Sequence, residues 1–145
     1  MREAIQISAE AHELVRELIA SKNNERQVQG ILEGFFLEKG ARGPAYNSIV
    51  ASGDNACILH YTSNNSPLNK GELLLVDAGC SLTDYYNGDI TRTIPIGGKF
   101  SDEQKVIYEI VLSAQKTAIQ SAIIGSNSST CLLYTSDAAD DVECV

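Results

Sequence analysis

The first forty residues show the apolar period of two amphipathic helices. The first helix is predicted over residues 8–21, with Ser8 as its N-cap. Asn23 and Asn24 interrupt that pattern and are predicted to cap a second helix, which ends at Gly40. The apolar stripe of the second helix comprises Val28, Ile31, Leu32, Phe35 and Phe36. Two packed helices are therefore expected to open the chain.

Beyond the second helix the pattern changes to short β-prone runs. Residues 48–51 and 57–61 are separated by a turn-forming stretch and predict a hairpin or two adjacent strands. Residues 72–77 are almost wholly apolar and predict a buried central strand that ends in a carboxylate. Residues 85–95 predict the next strand, and the short connection before it favours antiparallel pairing.

A third helix follows the strands and completes an α+β pattern. Ser101 and Gln104 form a capping-box signature, and the helical stripe continues to about Ile123. Residues 131–145 fit no element, and their string CLLYTSDAADD resembles the conceptual translation of a sequencing-library adapter. We therefore expect one domain over residues 1–130 and a non-native, disordered tail over residues 131–145.

Composition and charge narrow the functional classes. The net charge of −8 argues against nucleic-acid binding, which needs clustered lysines and arginines. No apolar run reaches the length of a membrane span, and the first residues lack the apolar core of a signal peptide. A cytoplasmic protein is therefore expected. The four cysteines have no metal-binding or redox spacing and are interpreted as reduced structural thiols: Cys57, Cys80, Cys131 and Cys144.

Two aspartates are the strongest candidates for chemistry. Asp77 ends the apolar strand of residues 72–77, and Asp89 lies within GDITRT on the next strand. If both carboxylates are buried and close together, they need bound cations or a shared proton. Oxygen ligands favour hard cations such as magnesium, manganese or calcium. The alternative interpretation is one aspartate at a turn and another on an exposed strand.

The remaining candidates are weaker. His60 lies in the strand-like run CILHY, where a histidine is either a satisfied core residue or a donor to substrate near a metal. Arg92 is a candidate partner for a ligating carboxylate, although a surface ion pair is its commoner role. His12 lies in the polar part of the first helix and is assigned no function.

Four motifs in order carry a family resemblance. They read YNSIVASGDNACILHY, LLLVDAGC, YYNGDITRTIPIGGKF and SDEQKVIYEIVL. Together they resemble the Xaa-Pro aminopeptidase family, also called aminopeptidase P, which belongs with methionine aminopeptidase, prolidase and creatinase. The resemblance runs from about Arg2 to about Ile124 and implies part of a pita-bread catalytic domain.

The resemblance also implies a set of roles. Asp77 would bind one metal and Asp89 would bridge both ions of a dinuclear centre, typically manganese, while His60 would contact the substrate. Hydroxide held by the metals would hydrolyse the N-terminal bond of a peptide with proline in second position. The parent protein is expected to be a homo-oligomer. Two alternatives stay open: another peptidase of this fold, such as prolidase or methionine aminopeptidase, and a metal-free binding module.

The chain departs from the family pattern in three ways. The remaining metal ligands of the family, one histidine and two glutamates, are not encoded after Ile124, so the isolated chain is expected to be inactive. The segment of residues 81–88 is one residue longer than in most relatives. The usual preceding domain is absent, and we expect a chain truncated at both ends.

Overall fold

The structure is a computed structural model that describes residues 1–123 and residue 125. Its helices are α1 (Arg2–Leu18), α2 (Glu25–Glu38) and α3 (Asp102–Ser121). Its strands are β1 (Gly43–Pro44), β2 (Ile49–Ser52), β3 (Leu73–Ala78), β4 (Cys80–Ser81) and β5 (Ile90–Pro95). The predicted tail, residues 131–145, lies outside the described residues.

Helix α2 agrees with its prediction, whereas α1 does not begin where its cap was predicted. The Asn24 side chain accepts a hydrogen bond from the Gln27 amide, so Asn24 is the N-cap of α2. Ser8 lies inside α1, where its hydroxyl donates to the Ala4 carbonyl and accepts from the Cys80 amide. The prediction of Ser8 as a cap was therefore wrong, because this hydroxyl serves a contact with β4 instead.

Three antiparallel strands form the main sheet, in the order β2-β3-β5. Strand β3 is central, as predicted, and alternate residues along it are buried against the helices. The short strands β1 and β4 form a separate antiparallel pair. The largest fully buried apolar side chains come from the helices and the main sheet: Val15, Val28, Leu32, Phe36, Val50, Leu74 and Val76. Helices and antiparallel strands in this arrangement confirm the α+β prediction.

The predicted strand over residues 57–61 is absent from the described structure. Residues Gly53–Cys57 form a 3₁₀ turn, and a further turn follows. Strand β2 pairs with β3 instead, so no hairpin forms between residues 48–51 and 57–61. Ile58 and Leu59 are 55% and 85% exposed, so the apolar run that suggested a strand does not enter the core. The strand predicted over residues 85–95 does form, but only over Ile90–Pro95, so it is shorter than predicted.

Helix α3 belongs to a second compact unit, which begins at Phe100. The predicted capping box is confirmed: the Ser101 side chain accepts from the Gln104 amide, and the Gln104 side chain accepts from the Ser101 amide. The apolar residues Val106, Val111 and Ile119 are exposed. Over residues 1–123 and 125, no helix has both the length and the apolar character to cross a membrane.

Candidate metal centre

The register of the main sheet brings Asp77 and Asp89 to the same face. Asp77 on β3 pairs with Thr91 on β5 and with Ile49 on β2. Directly opposed residues share a face, and side chains along a strand alternate between faces. Asp89 lies two residues before Thr91 and therefore returns to the face of Asp77. The opposite face of β3 packs against the helices, so the two aspartates lie on the side away from the core.

Tyr46, three residues before β2, joins the two carboxylates. Its hydroxyl lies 2.7 Å from Asp77 Oδ1 and 2.8 Å from Asp89 Oδ1. Partial burial, together with the hydrogen bonds and negative charges of both aspartates, raises the pKa of the Tyr46 hydroxyl far above its ordinary range. Tyr46 therefore keeps its single proton at neutral pH. Sequence analysis missed this residue, since only its place in the YNSIV motif distinguishes it.

His60 faces the same depression of the surface as the aspartates. A recess of about 370 Å³ is lined by Tyr46, Asn47, Ile49, His60, Thr62, Asp77 and Asp89. His60 is exposed and has a φ of 55°, a left-handed conformation that is uncommon for residues other than glycine. The interpretation of His60 as a satisfied core residue on a strand is therefore wrong, although the structure does bring His60 to the aspartates.

The aspartates differ in burial, which corrects part of the sequence argument. Asp77 is half-buried, whereas Asp89 is exposed, so burial does not by itself require a partner for Asp89. The Tyr46 hydroxyl, which both aspartates contact, gives a stronger argument for a cation at this site. A tyrosine hydroxyl has one proton, so it can make a full hydrogen bond to only one of the two carboxylates at a time. A cation near the two oxygens would offset the negative charge that they bring together.

The chemistry of the pair fits part of a site for a hard divalent cation. Both candidate donors are carboxylate oxygens, which manganese and magnesium prefer. Within the described part of the chain, no group of three or more histidine, cysteine, aspartate or glutamate side chains is arranged to hold a metal. The two aspartates would therefore supply part of a coordination sphere rather than all of it.

Arg92 and His12 lie on the other side of the sheet. Arg92 pairs with Val76, whose side chain faces the helices, and its guanidinium donates to the Thr91 carbonyl at 2.7 Å. Arg92, a candidate partner for a ligating carboxylate, thus lies on the face of the sheet away from both aspartates. His12 is buried with Nε2 at 3.1 Å from the Ala78 carbonyl, and burial lowers the pKa of its imidazole. Because a carbonyl only accepts, this hydrogen bond requires the Nε2–H tautomer.

The chain is similar to aminopeptidases of known sequence and structure. It is 48% identical over 127 residues to a Xaa-Pro aminopeptidase of Haemophilus influenzae, covering 88% of this chain and 29% of that protein. A structure of Escherichia coli aminopeptidase P in a low-pH form superposes with a TM-score of 0.78 at 44% identity, over 83% of this chain and 27% of the other. The same aminopeptidase with the inhibitor Pro-Leu gives a TM-score of 0.74 at 43% identity, over 81% and 27% of the two chains.

These comparisons confirm both the family resemblance and the partial pita-bread fold. The chain spans less than a third of the length of these relatives. The model of metallopeptidase family M24 matches residues 1–133, which include the whole sheet and the Tyr46, Asp77 and Asp89 cluster. The chain therefore belongs to metallopeptidase family M24.

Proposed function

We propose that this chain is part of the catalytic domain of a Xaa-Pro aminopeptidase, with Asp77 and Asp89 as metal ligands and His60 as a substrate contact. The names of its relatives support the substrate class, a peptide with proline in second position. Manganese, with two ions in the parent enzyme, is the metal we propose. Both aspartates offer the oxygen donors that this ion prefers.

A single observation carries the proposal: one hydroxyl, that of Tyr46, lies within 2.8 Å of an oxygen from each aspartate. Two carboxylates held this close repel each other when both are ionised. The single tyrosine proton makes a full hydrogen bond to only one of them at a time. A divalent cation bound by both carboxylates would offset this repulsion.

The residues of the recess would then have different roles in hydrolysis. A bound divalent ion would supply Lewis acidity toward a peptide carbonyl and toward a water molecule. Tyr46 holds the oxygens of Asp77 and Asp89 in a fixed orientation through its hydroxyl. His60, exposed at the same recess, is placed to donate a hydrogen bond to substrate or to negative charge that develops during hydrolysis. With only two ligands, we expect the isolated chain to bind manganese weakly and to hydrolyse no peptide.

Manganese titration calorimetry on the full chain tests the site. The proteins are wild type, Asp77→Asn, Asp89→Asn and the control Asp84→Asn, which changes an exposed aspartate in the turn before β5. We expect weak binding in wild type and in the control, and none in the other two variants. Hydrolysis of a Xaa-Pro peptide is followed in parallel, and turnover is expected in none.

Equal binding in all four proteins would refute the metal site. Such a result would favour the alternative of a metal-free binding module with the same fold. Turnover by the isolated chain would instead show that the two aspartates suffice, and would refute the expected inactivity.

A further inference from the structure

A buried carboxylate, Glu25, lies at the start of α2, outside the recess. Its side chain is 0% exposed and accepts five hydrogen bonds. Burial alone would raise the pKa of Glu25, but these hydrogen bonds outweigh it and hold the pKa below its ordinary value. The carboxylate is therefore ionised at neutral pH. The donors are Ser52 N and Oγ at 2.8 Å, Asn55 Nδ2 at 2.9 Å, Tyr61 OH at 2.8 Å and Ser66 N at 2.9 Å.

All five donors belong to residues 52–66, the segment that carries His60. This segment has little apolar packing at its tip, because Ile58 and Leu59 are largely exposed. His60 nevertheless adopts a left-handed conformation. A residue other than glycine persists in this conformation only where surrounding contacts determine it. Glu25 provides such contacts on both sides of His60, through Asn55 before it and Tyr61 after it.

Tyr61 links the carboxylate directly to the recess. Its hydroxyl donates to Glu25 Oε2, and its ring packs against Ile49 and Ala51. The two residues that flank it in sequence, His60 and Thr62, both line the recess of the aspartates. Through Tyr61, Glu25 is therefore connected along the chain to two residues of the recess.

We propose that Glu25 is a positioning residue for the aminopeptidase site, which acts through Tyr61 to hold the His60 imidazole toward Asp77 and Asp89. This inference rests on the proposed function, since it assigns His60 a purpose at that site. Glu25 touches neither the recess nor a substrate placed in it. Its effect is on the position of the imidazole.

The test is nuclear magnetic resonance on the full chain with isotope-labelled histidine, first without metal. In wild type, we expect nuclear Overhauser contacts from the His60 ring to Ile49 and Thr62. Glu25→Gln and Tyr61→Phe should lose these contacts. Tyr61→Phe keeps the ring and removes only the hydroxyl, so it decides the question if Glu25→Gln fails to fold. The control Val28→Ala shortens a buried side chain on the same helix and should keep the contacts.

A manganese titration of the same samples separates this inference from the proposed function. We expect Tyr61→Phe to bind manganese as wild type does, because the aspartates are unchanged, while the His60 contacts are lost. Failure of wild type to bind manganese would refute the metal site and leave the metal-free contacts to decide the role of Glu25. The positioning role is overturned if wild type lacks the His60 contacts, if both variants keep them, or if Val28→Ala loses them as well.

Discussion

Replacing Glu25 by glutamine should destabilise the compact unit of residues 1–99 by about 3 kcal/mol at pH 7. Glutamine keeps one carbonyl oxygen, which can accept the three hydrogen bonds now made to Oε1. Its amide nitrogen replaces Oε2 and cannot accept from Tyr61 OH or Ser66 N. The tyrosine hydroxyl can rotate and accept instead, but the Ser66 amide is left without its acceptor. Hydrogen bonds to a charged group contribute about 1.5–3 kcal/mol each, which gives the estimate.

Urea unfolding followed by circular dichroism measures this loss. With a denaturant dependence of about 1–3 kcal/mol per molar urea, the midpoint should fall by about 1–3 M. The control Glu38→Gln makes the same change at an exposed position on α2 and should alter stability by less than about 0.5 kcal/mol.

The difference in the free energy of unfolding between wild type and Glu25→Gln should depend on pH, and this difference is called the gap below. The folded-state pKa of Glu25 is below its unfolded value, so its contribution is complete above the unfolded pKa, about 4.3, and is lost as pH falls through the folded pKa. Glutamine does not titrate, so the gap should be full at pH 7 and should shrink in acid below about pH 4.3. A gap of under about 0.5 kcal/mol at pH 7 or a gap that does not change with pH would refute the reasoning.

Three further predictions concern other parts of the chain. Tyr46→Phe should weaken manganese binding by about 10-fold or more, because it removes the hydroxyl that orients both carboxylates; calorimetry showing unchanged affinity would contradict this. Gly88→Ala should lower stability by about 1–3 kcal/mol in urea unfolding, because the added Cβ would overlap Ser8 Oγ. Its counterpart Gly34→Ala, where no heavy atom lies within 4 Å, should raise stability by up to about 1 kcal/mol, and effects of the same sign would refute the steric argument. Ser101→Ala should cost α3 about 1 kcal/mol by removing the capping box, seen as faster amide hydrogen exchange in its first turn; unchanged exchange would count against the cap.

Elements with strong local signals were predictable from sequence. Helix α2 begins after its predicted Asn24 cap, and α3 has its predicted capping box. Strand β3 is central and carries Asp77 close to its end, as expected. These features depend on residues within a few positions of each other. A cap needs a side chain next to the first free amides, and a buried strand needs only a short apolar run.

Elements that depend on distant partners were not predictable. The apolar run of residues 57–61 has the composition of a strand, but it follows a 3₁₀ turn over Gly53–Cys57 and leaves Ile58 and Leu59 exposed. Ser8 is a residue type that often caps helices, but its hydroxyl accepts a hydrogen bond from Cys80, 72 residues away. A local pattern states what a segment prefers, whereas the contacts that its residues finally make are settled by the packing of the whole unit.

For the candidate site, the sequence by itself determined which residues are the candidate donors, Asp77 and Asp89, and their family context. Only the tertiary structure decided how they are arranged. Antiparallel register placed both aspartates on one face of the sheet, and the fold brought in Tyr46 from 31 and 43 residues away. It also placed His60 on a turn held by Glu25, in place of the predicted strand. The reason is physical: residue type fixes which bonds a side chain can make, but distance and burial, which exist only once the chain is packed, fix which bonds it does make.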